Sequence, residues 1–332
     1  MRTKILDILR INSPEPVSGE ALSTQLKISR TAIWKHIQVL KKEGYAIEAL
    51  PKKGYVLTSV PDKMLPAEII SKLKTKWLGR QVRYTESVTS TNEMGKTLAN
   101  AGCANGVVCV AEEQIGGKGR LSRGWFSPAG DGLWFSVILK PPFMPDEASK
   151  CTLLAAVAVV SSINDYAKVK AAIKWPNDIL LEGKKLVGIL TEMSAEFGHI
   201  NYIVIGIGIN ISVPRSKVPA ELRDSAISLA DVSKEKINRV ELLAAVLKNL
   251  EDLYEIVLSE GFAPILKLWR QYSTTIGKEV KVIAPDMTYT GTAIDIDENG
   301  LLIVDRGNGV IEKVVAGDVS IRPAKAKRGK YE

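Results

Sequence analysis

The chain is expected to fold as an α+β protein in three parts: a small helical domain ending in a hairpin (residues 1–60), a larger domain with a mixed sheet (65–270) and a small β-barrel (271–323). Three features predict this. Up to residue 43 apolar side chains recur at helical spacing and Pro- or Ser-rich breaks divide them into three short runs. Between residues 81 and 210 strand-length apolar runs alternate with helical ones, but few are spaced as parallel strand–helix–strand units, which favours an α+β domain with a mixed or largely antiparallel sheet. Beyond Ile276 the runs shorten, separated by Glu298-Asn299-Gly300 and Gly307-Asn308-Gly309, both hairpin signals.

In the first part, Ile5, Leu6, Ile8 and Leu9 give an amphipathic helix that Ser13-Pro14-Glu15-Pro16 ends. Ser18 is a natural N-cap for a second helix, Glu20–Leu26, and Ser29 for a third, Arg30–Glu43. The third carries Ile33, Ile37 and Leu40 on one face and Arg30, Thr31, Lys35, His36, Gln38 and Lys42 on the other. Two short strands, Ala46–Ala49 and Tyr55–Leu57, flank the basic turn Pro51-Lys52-Lys53-Gly54. A short helix, a tight turn, a polar second helix and a basic hairpin make the layout of a winged helix-turn-helix, which sets side chains against base edges. Ser29, Arg30, Thr31, Lys35 and His36 are the candidates for the major groove, and Lys52 and Lys53 for phosphates. A helical interaction domain with a solvated polar face is the plainer alternative. Positive charge gathered at both the helix start and the hairpin tip favours DNA.

Ser59-Val60-Pro61-Asp62 is expected to link to the central part. There the predicted order is a strand at Gln81–Thr85, a helix after Thr91, strands at Val107–Ala111 and Leu133–Leu139, and a long apolar helix over Ala148–Tyr166. Strands at Ala172–Trp175, Ile179–Leu181, Val187–Met193 and Ile203–Ile209 follow, then helices at Arg239–Ser259 and Ala263–Gln271. Five short strands fill the last part: Lys278–Ala284, Thr288–Ile296, Leu301–Asp305, Gly309–Val315 and Val319–Arg322. Residues 324–332, with Lys325, Lys327, Arg328 and Lys330, read as a basic tail.

A net charge of +8 and a pI near 9.2 make acidic partners plausible, nucleic acid or nucleotide among them. Cys103, Cys109 and Cys151 form no CxxC pair, so neither a disulfide framework nor a zinc site is suggested, and a reducing cytoplasm fits. The N-terminus lacks the apolar stretch of a signal peptide, and apolar runs such as Leu153–Val160 are too short to span a bilayer. The expected setting is cytoplasmic, with no membrane partner. Two histidines, His36 and His199, supply neither a Ser-His-Asp device nor a His-based metal site.

The stretch Ala111–Trp125, AEEQIGGKGRLSRGW, draws the chemistry together. Gly116, Gly117 and Gly119 let the backbone approach a ligand, and Lys118, Arg120 and Arg123 sit among them. Backbone N–H groups and fixed cations that converge in this way suit phosphate; a basic surface turn is the alternative. No Gly-Lys pair is followed by Ser or Thr at Walker spacing, which disfavours a P-loop.

This loop, with Ser90-Thr91-Asn92 before it and Lys174-Trp175-Pro176-Asn177-Asp178, Gly183–Leu190 and Gly206-Ile207-Gly208-Ile209-Asn210 after it, resembles the pattern of biotin protein ligases. With the N-terminal helix-turn-helix, the resemblance extends along essentially the whole chain and points to the bifunctional subgroup, ligase and biotin-responsive repressor at once. It implies an SH3-like C-terminal β-barrel. It also implies a two-step reaction, in which biotin's carboxylate attacks the α-phosphate of ATP, with Mg²⁺, and a lysine of a biotin carboxyl carrier protein then takes the biotin from biotinyl-5′-AMP. No enzyme nucleophile is needed. Lys185 and Arg120 are the implied catalytic residues: Lys185 bridges carboxylate and α-phosphate, and Arg120 holds the adenylate. The biotin set is Ser90, Thr91, Asn92, Gln114, Gly117, Lys118, Gly119, Arg120, Lys185 and Gly188. The ATP set is Lys118, Arg120, Arg123, Trp125 and Asn210, with Asp178 a candidate near Mg²⁺.

From the residues alone, Ser90-Thr91-Asn92 also reads as a helix cap, Trp125 as core, and Lys185 as a turn lysine beside Gly183. Lys118 and Leu121 stand where the family commonly has arginine; lysine keeps the charge and loses the planar fork. The remaining implied partners are operator DNA and a second copy of the chain, a homodimer of the adenylate-bound form.

Overall fold

The computed structural model describes residues 1–283, 287–314 and 318–321, so the basic tail lies outside the described residues. The chain divides into two compact units, Met1–Lys72 and Leu73–Glu332.

The first unit holds α1 (Arg2–Asn12), α2 (Gly19–Leu26), α3 (Arg30–Lys42), a hairpin of β1 (Ala46–Leu50) and β2 (Gly54–Ser59), and α4 (Pro66–Lys72). The caps form as expected: Ser18 Oγ accepts from the Ala21 amide at 3.0 Å and Ser29 Oγ from Ala32 at 3.2 Å. Ile5, Leu6, Leu9, Leu22, Ile33, Ile37 and Leu40 make the core. Gly54 is required at the hairpin turn: its φ is +122° and an added Cβ would lie 2.1 Å from the Val17 carbonyl oxygen. There Val17 exchanges two backbone hydrogen bonds with Tyr55, each 2.9 Å, and so widens the hairpin by one bridge. Helix α4 was not anticipated from the sequence, because seven residues beginning at proline are too short to show a period. It buries Ile69 and Glu68; the Glu68 carboxylate accepts from Arg10 and, at 2.6 Å, from the Tyr45 hydroxyl. Burial, then that bond, pushes the Tyr45 phenol well above its ordinary value.

The second unit is built on β3 (Val82–Val88), α5 (Thr91–Asn100), β4 (Val108–Gln114), β5 (Gly132–Leu139), α6 (Lys150–Ala167), β6 (Ala172–Lys174), β7 (Asp178–Leu181), β8 (Lys184–Glu196), β9 (His199–Asn210), α7 (Arg239–Glu260) and α8 (Ala263–Tyr272). The sheet runs β3-β4-β5-β9-β8-β7-β6. Only β3 and β4 are parallel, so the sheet is mixed and largely antiparallel. Strands β8 and β9 run past their apolar middles, because their polar ends keep pairing as far as Glu196 with His199. Helix α6 packs against α7 and α8, and α5 contributes Ala99 to a cluster with Cys109, Ile138 and Val204. The Glu251 carboxylate of α7 accepts from the amides of Lys76, Trp77 and Leu78 at 2.7–2.9 Å. Burial opposes ionisation there, but these three donors hold its pKa below the usual value. At the start of α7, Arg239 donates to Glu112 Oε2 at 2.7 Å and to the Gly132 carbonyl at 3.3 Å.

Strands β10 (Glu279–Ile283), β11 (Thr288–Ile296), β12 (Leu302–Asp305), β13 (Ile311–Val314) and β14 (Asp318–Ile321) form an antiparallel sheet in the order β13-β12-β11-β10-β14. Among the described residues the edge strands β13 and β14 do not pair with each other, so an open five-stranded sheet is seen rather than a closed barrel. Val280, Val282, Leu302 and Val304 are buried in it. Trp175 Nε1 donates to the Gly300 carbonyl at 3.0 Å, which ties this sheet to the KWPND segment. Among the described residues no helix is long and apolar enough to cross a membrane.

Candidate functional site

Every small-molecule candidate of the sequence analysis lines one cleft of about 1250 Å³ in the second unit. Its floor is where β8 and β9 pair, Gly188 opposite Gly208 and Leu190 opposite Gly206. These glycines leave room for other side chains. A Cβ at Gly206 would come within 2.2 Å of Asn92 Oδ1, and one at Gly208 within 2.3 Å of Trp125 Nε1.

At one end of the cleft lies the N-terminus of α5. Ser90 caps it, accepting from the Asn92 amide at 3.2 Å. Gln114 Oε1 accepts from the Thr91 amide at 2.8 Å and lies 3.1 Å from the Thr91 hydroxyl, while its Nε2 donates to Ser127 Oγ at 2.9 Å. Asn92 is tied into the protein by three bonds: Nδ2 donates to the Leu190 carbonyl (3.2 Å) and Glu192 Oε2 (2.7 Å), and Oδ1 accepts from Ser136 (2.6 Å). The cap and the polar wall are thus the same residues, and Asn92 props the wall. Ser136, fully buried and 2.7 Å from Thr91 Oγ1, joins the two. Ser136→Ala is expected to cost about 1–3 kcal/mol of stability, because the side chains it bridges lose a buried partner. Urea unfolding of the variant checks this.

The glycine loop closes on itself. The Gly119 amide donates to the Arg123 carbonyl (2.7 Å) and the Trp125 amide to the Gly117 carbonyl (2.8 Å). Gly117 is required, since a Cβ there would sit 2.5 Å from the Trp125 carbonyl oxygen. Leu121 and Ser122 hold left-handed φ values of 54° and 58°, a conformation disfavoured for both. Lys118 Nζ bonds Glu93 Oε1 at 2.7 Å, and Lys96 shares that oxygen at 2.8 Å while also reaching Glu192 at 3.0 Å. The two lysines hold the Glu93 carboxyl below its ordinary pKa. Arg120 Nη1 donates to Asn177 Oδ1 at 3.3 Å, and Asn177 is fixed through its own bond to the Ile189 carbonyl, 2.8 Å. Arg123 lines the same cleft.

Lys185 opens β8 with its backbone clasped by the 225–227 segment: its amide donates to Ser225 (2.7 Å) and its carbonyl accepts from Ile227 (3.1 Å). Its Nζ lies 2.8 Å from Asp178 Oδ1 and 5.3 Å from the centre of the Trp125 ring. Trp125 packs edge-on to Trp134 at 6.4 Å. Asn210 Nδ2 donates to the Ile227 carbonyl at 3.2 Å, bracing the same segment from β9. Asp178 also has Lys174 at 3.9 Å, so both of its oxygens face lysines. Among the described residues no group of three His, Cys, Asp or Glu side chains could hold a metal.

Lys118 and Arg120 from the loop and Lys185 from the sheet therefore converge on one cleft with a polar wall. That arrangement suits two anions brought together. Sequence reasoning missed Ser136, Glu192, the Asn177 brace and the second rim, from Val213 to Asp231. Ser136 left a legible signal, being the lone polar residue in GLWFSVIL.

In the first unit, Arg30, Thr31 and Lys35 of α3 and Lys52 and Lys53 of the hairpin are exposed, while His36 is half-buried and the Ser29 hydroxyl serves as the cap. Trp34, absent from the expected set, is 53% exposed on the same helix.

Residues 84–210 match the Biotin/lipoate A/B protein ligase family, residues 2–56 an HTH domain, and residues 275–322 the Biotin protein ligase C terminal domain. The chain is 40% identical over 321 residues to the bifunctional ligase/repressor BirA of Bacillus subtilis, covering 97% of this chain and 98% of that one. To the bifunctional ligase/repressor BirA of Escherichia coli it is 32% identical, with coverage of 92% and 93%. Its fold is similar to a biotin protein ligase from Aquifex aeolicus solved in complex with biotin and ATP, with a TM-score of 0.63, 26% identity, and coverage of 73% of this chain and 99% of that one.

Proposed function

The chain belongs to the family of bifunctional biotin protein ligase/repressors, and from that premise we propose that it activates biotin with ATP, passes it to a carrier lysine and represses transcription through its first unit. The observation that carries the ligase half is that Lys118, Arg120 and Lys185 line one cleft together with the Ser90–Thr91–Gln114 cluster.

In the first step a biotin carboxylate oxygen bonds to the α-phosphorus of ATP and pyrophosphate leaves. Two anions must approach, and charge builds on the α-phosphoryl oxygens, so a cation between them lowers the barrier. Lys185 is assigned that place and Arg120 the grip on the adenylate. Gly117, Lys118 and Gly119 wrap the carboxylate end, and Gly188 keeps the floor low beneath it. Ser90, Thr91 and Gln114 face the ureido ring, whose carbonyl accepts and whose two N–H groups donate; analogues without them would leave buried polar groups unpaired. Asn92 acts by fixing that wall. Arg123, Trp125 and Asn210 are assigned to the nucleotide. Magnesium is read as entering with the triphosphate, as part of the substrate, since Asp178 already faces Lys185 and Lys174. In the second step the carrier lysine's neutral amine attacks the acyl carbon and AMP leaves; the leaving group is already activated, so no side-chain nucleophile is required. Transfer of labelled biotin to a purified biotin carboxyl carrier domain tests this half, and no transfer in the presence of ATP and Mg²⁺ would count against it.

For the repressor half, Ser29, Arg30, Thr31, Lys35 and His36 are assigned to the operator groove and Lys52 and Lys53 to phosphates. Lys52→Ala is expected to weaken binding to all duplexes alike and to lower the slope of log K against log salt by about 1. Fluorescence anisotropy at four salt concentrations measures it. A homodimer of the adenylate-bound form matches the two-fold symmetry of such operators. The C-terminal sheet is read as SH3-like, and the setting as cytoplasmic, where ATP, carrier and DNA meet.

A further inference from the structure

We infer that Trp34 is a specificity-determining residue of the DNA-reading helix, its indole lying against a thymine methyl group in the major groove. This rests on the repressor reading above.

The fold leaves about half of Trp34 uncovered. Helix α3 gives Ile33, Ile37 and Leu40 to the core of the unit. Trp34 is 53% exposed, so about half of the largest apolar side chain on the helix faces solvent and is open to a partner. Among the described residues no aromatic ring or cation stacks on it. It stands one turn beyond Arg30 and beside Lys35, in the first half of the helix. That is the portion which, in a helix-turn-helix, faces base edges.

What covers it follows from the charge around it. Helix α3, RTAIWKHIQVLKK, has four cations and no carboxylate, and the neighbouring hairpin tip adds Lys52 and Lys53. Such a surface complements a polyanion and repels a basic partner. Within the major groove the one apolar group on a base edge is the thymine C5 methyl. A flat indole set among cations that hold the backbone can cover that methyl and shed water from both. It discriminates thymine from cytosine without a hydrogen bond. Lysine and arginine contacts then set affinity and register, while Trp34 sets preference.

The test uses the full chain loaded with biotin and ATP, and duplexes selected by it from a random pool. Trp34→Ala should bind the selected duplex about tenfold more weakly, bind a scrambled duplex within twofold of the parent, and keep the same salt slope. Trp34→Phe should fall between. Replacing thymine by uracil at one selected position, which removes only the methyl, should weaken the parent and leave Trp34→Ala unchanged. Thermal melting of each variant checks that the unit is folded. Equal loss on selected and scrambled duplexes, no coupling to any uracil, or a change in sedimentation in place of a change in preference would overturn the inference; the last would make Trp34 a protein contact. If the parent selects no duplex, the repressor reading itself falls and takes this inference with it.

Discussion

Lys185→Ala is expected to lower biotin-dependent adenylate formation by about 10²–10³-fold, the usual loss when one preorganised group facing developing charge is removed. The lysine is well placed for so large an effect. Its backbone is clasped by Ser225 and Ile227 and its Nζ lies 2.8 Å from Asp178 Oδ1, so the chain and the ammonium both have fixed partners. Removing it also leaves the Asp178 carboxylate, only 17% exposed, with Lys174 farther off at 3.9 Å. That carboxylate then repels the incoming phosphate, which moves the rate in the same direction. Lys185→Arg keeps the charge but not the compact ammonium, and should recover part of the loss. Because the side chain is 38% exposed, the fold should hold, and far-UV circular dichroism verifies it. Single-turnover formation of labelled adenylate is the measurement; a loss under fivefold would remove Lys185 from the reaction.

Arg239→Met should destabilise the second unit by about 3–5 kcal/mol, the range for breaking one half of a buried ion pair. Arg239 and Glu112 have side chains 4% and 6% exposed and meet at 2.7 Å. The methionine fills much of the volume, so the effect reports the lost guanidinium bonds to the buried Glu112 carboxylate and to the Gly132 carbonyl. Adding Glu112→Gln to the same chain should restore a large part, since it removes the buried negative charge that the guanidinium had balanced. Denaturant midpoints of the three proteins test this, and a loss of under 1 kcal/mol in the single variant would mean that water or another group solvates Glu112.

The difference between these two residues shows what the sequence could convey. Lys185 sits in a run, GKKLVGIL, whose order relative to the glycine loop and KWPND singles it out in the sequence. Arg239 and Glu112 are 127 residues apart, and neither has a local pattern; only the sheet brings them together. The helix caps were read correctly because Ser18 and Ser29 act on residues three positions away. Helix α4 and the extra length of β8 and β9 were missed for a matching reason: both depend on packing or cross-strand pairing rather than on periodicity. Asn92 is the instructive intermediate. Its helix-cap neighbourhood is visible in the sequence, but that its amide bonds Leu190, Glu192 and Ser136 is a three-dimensional fact. The glycines of GIGIN stand out in the sequence, yet their use, as the flat floor under Asn92 and Trp125, follows only from the strand register.

The central claim is that this cleft joins biotin to AMP. Exchange of labelled pyrophosphate into ATP by the purified chain with Mg²⁺, run with biotin, with lipoate and with neither, tests it most directly, because the exchange requires the reversible first step and nothing of the carrier or the DNA. The account predicts exchange that depends on biotin and is not supported by lipoate. No exchange with biotin, or equal exchange with lipoate, would contradict it.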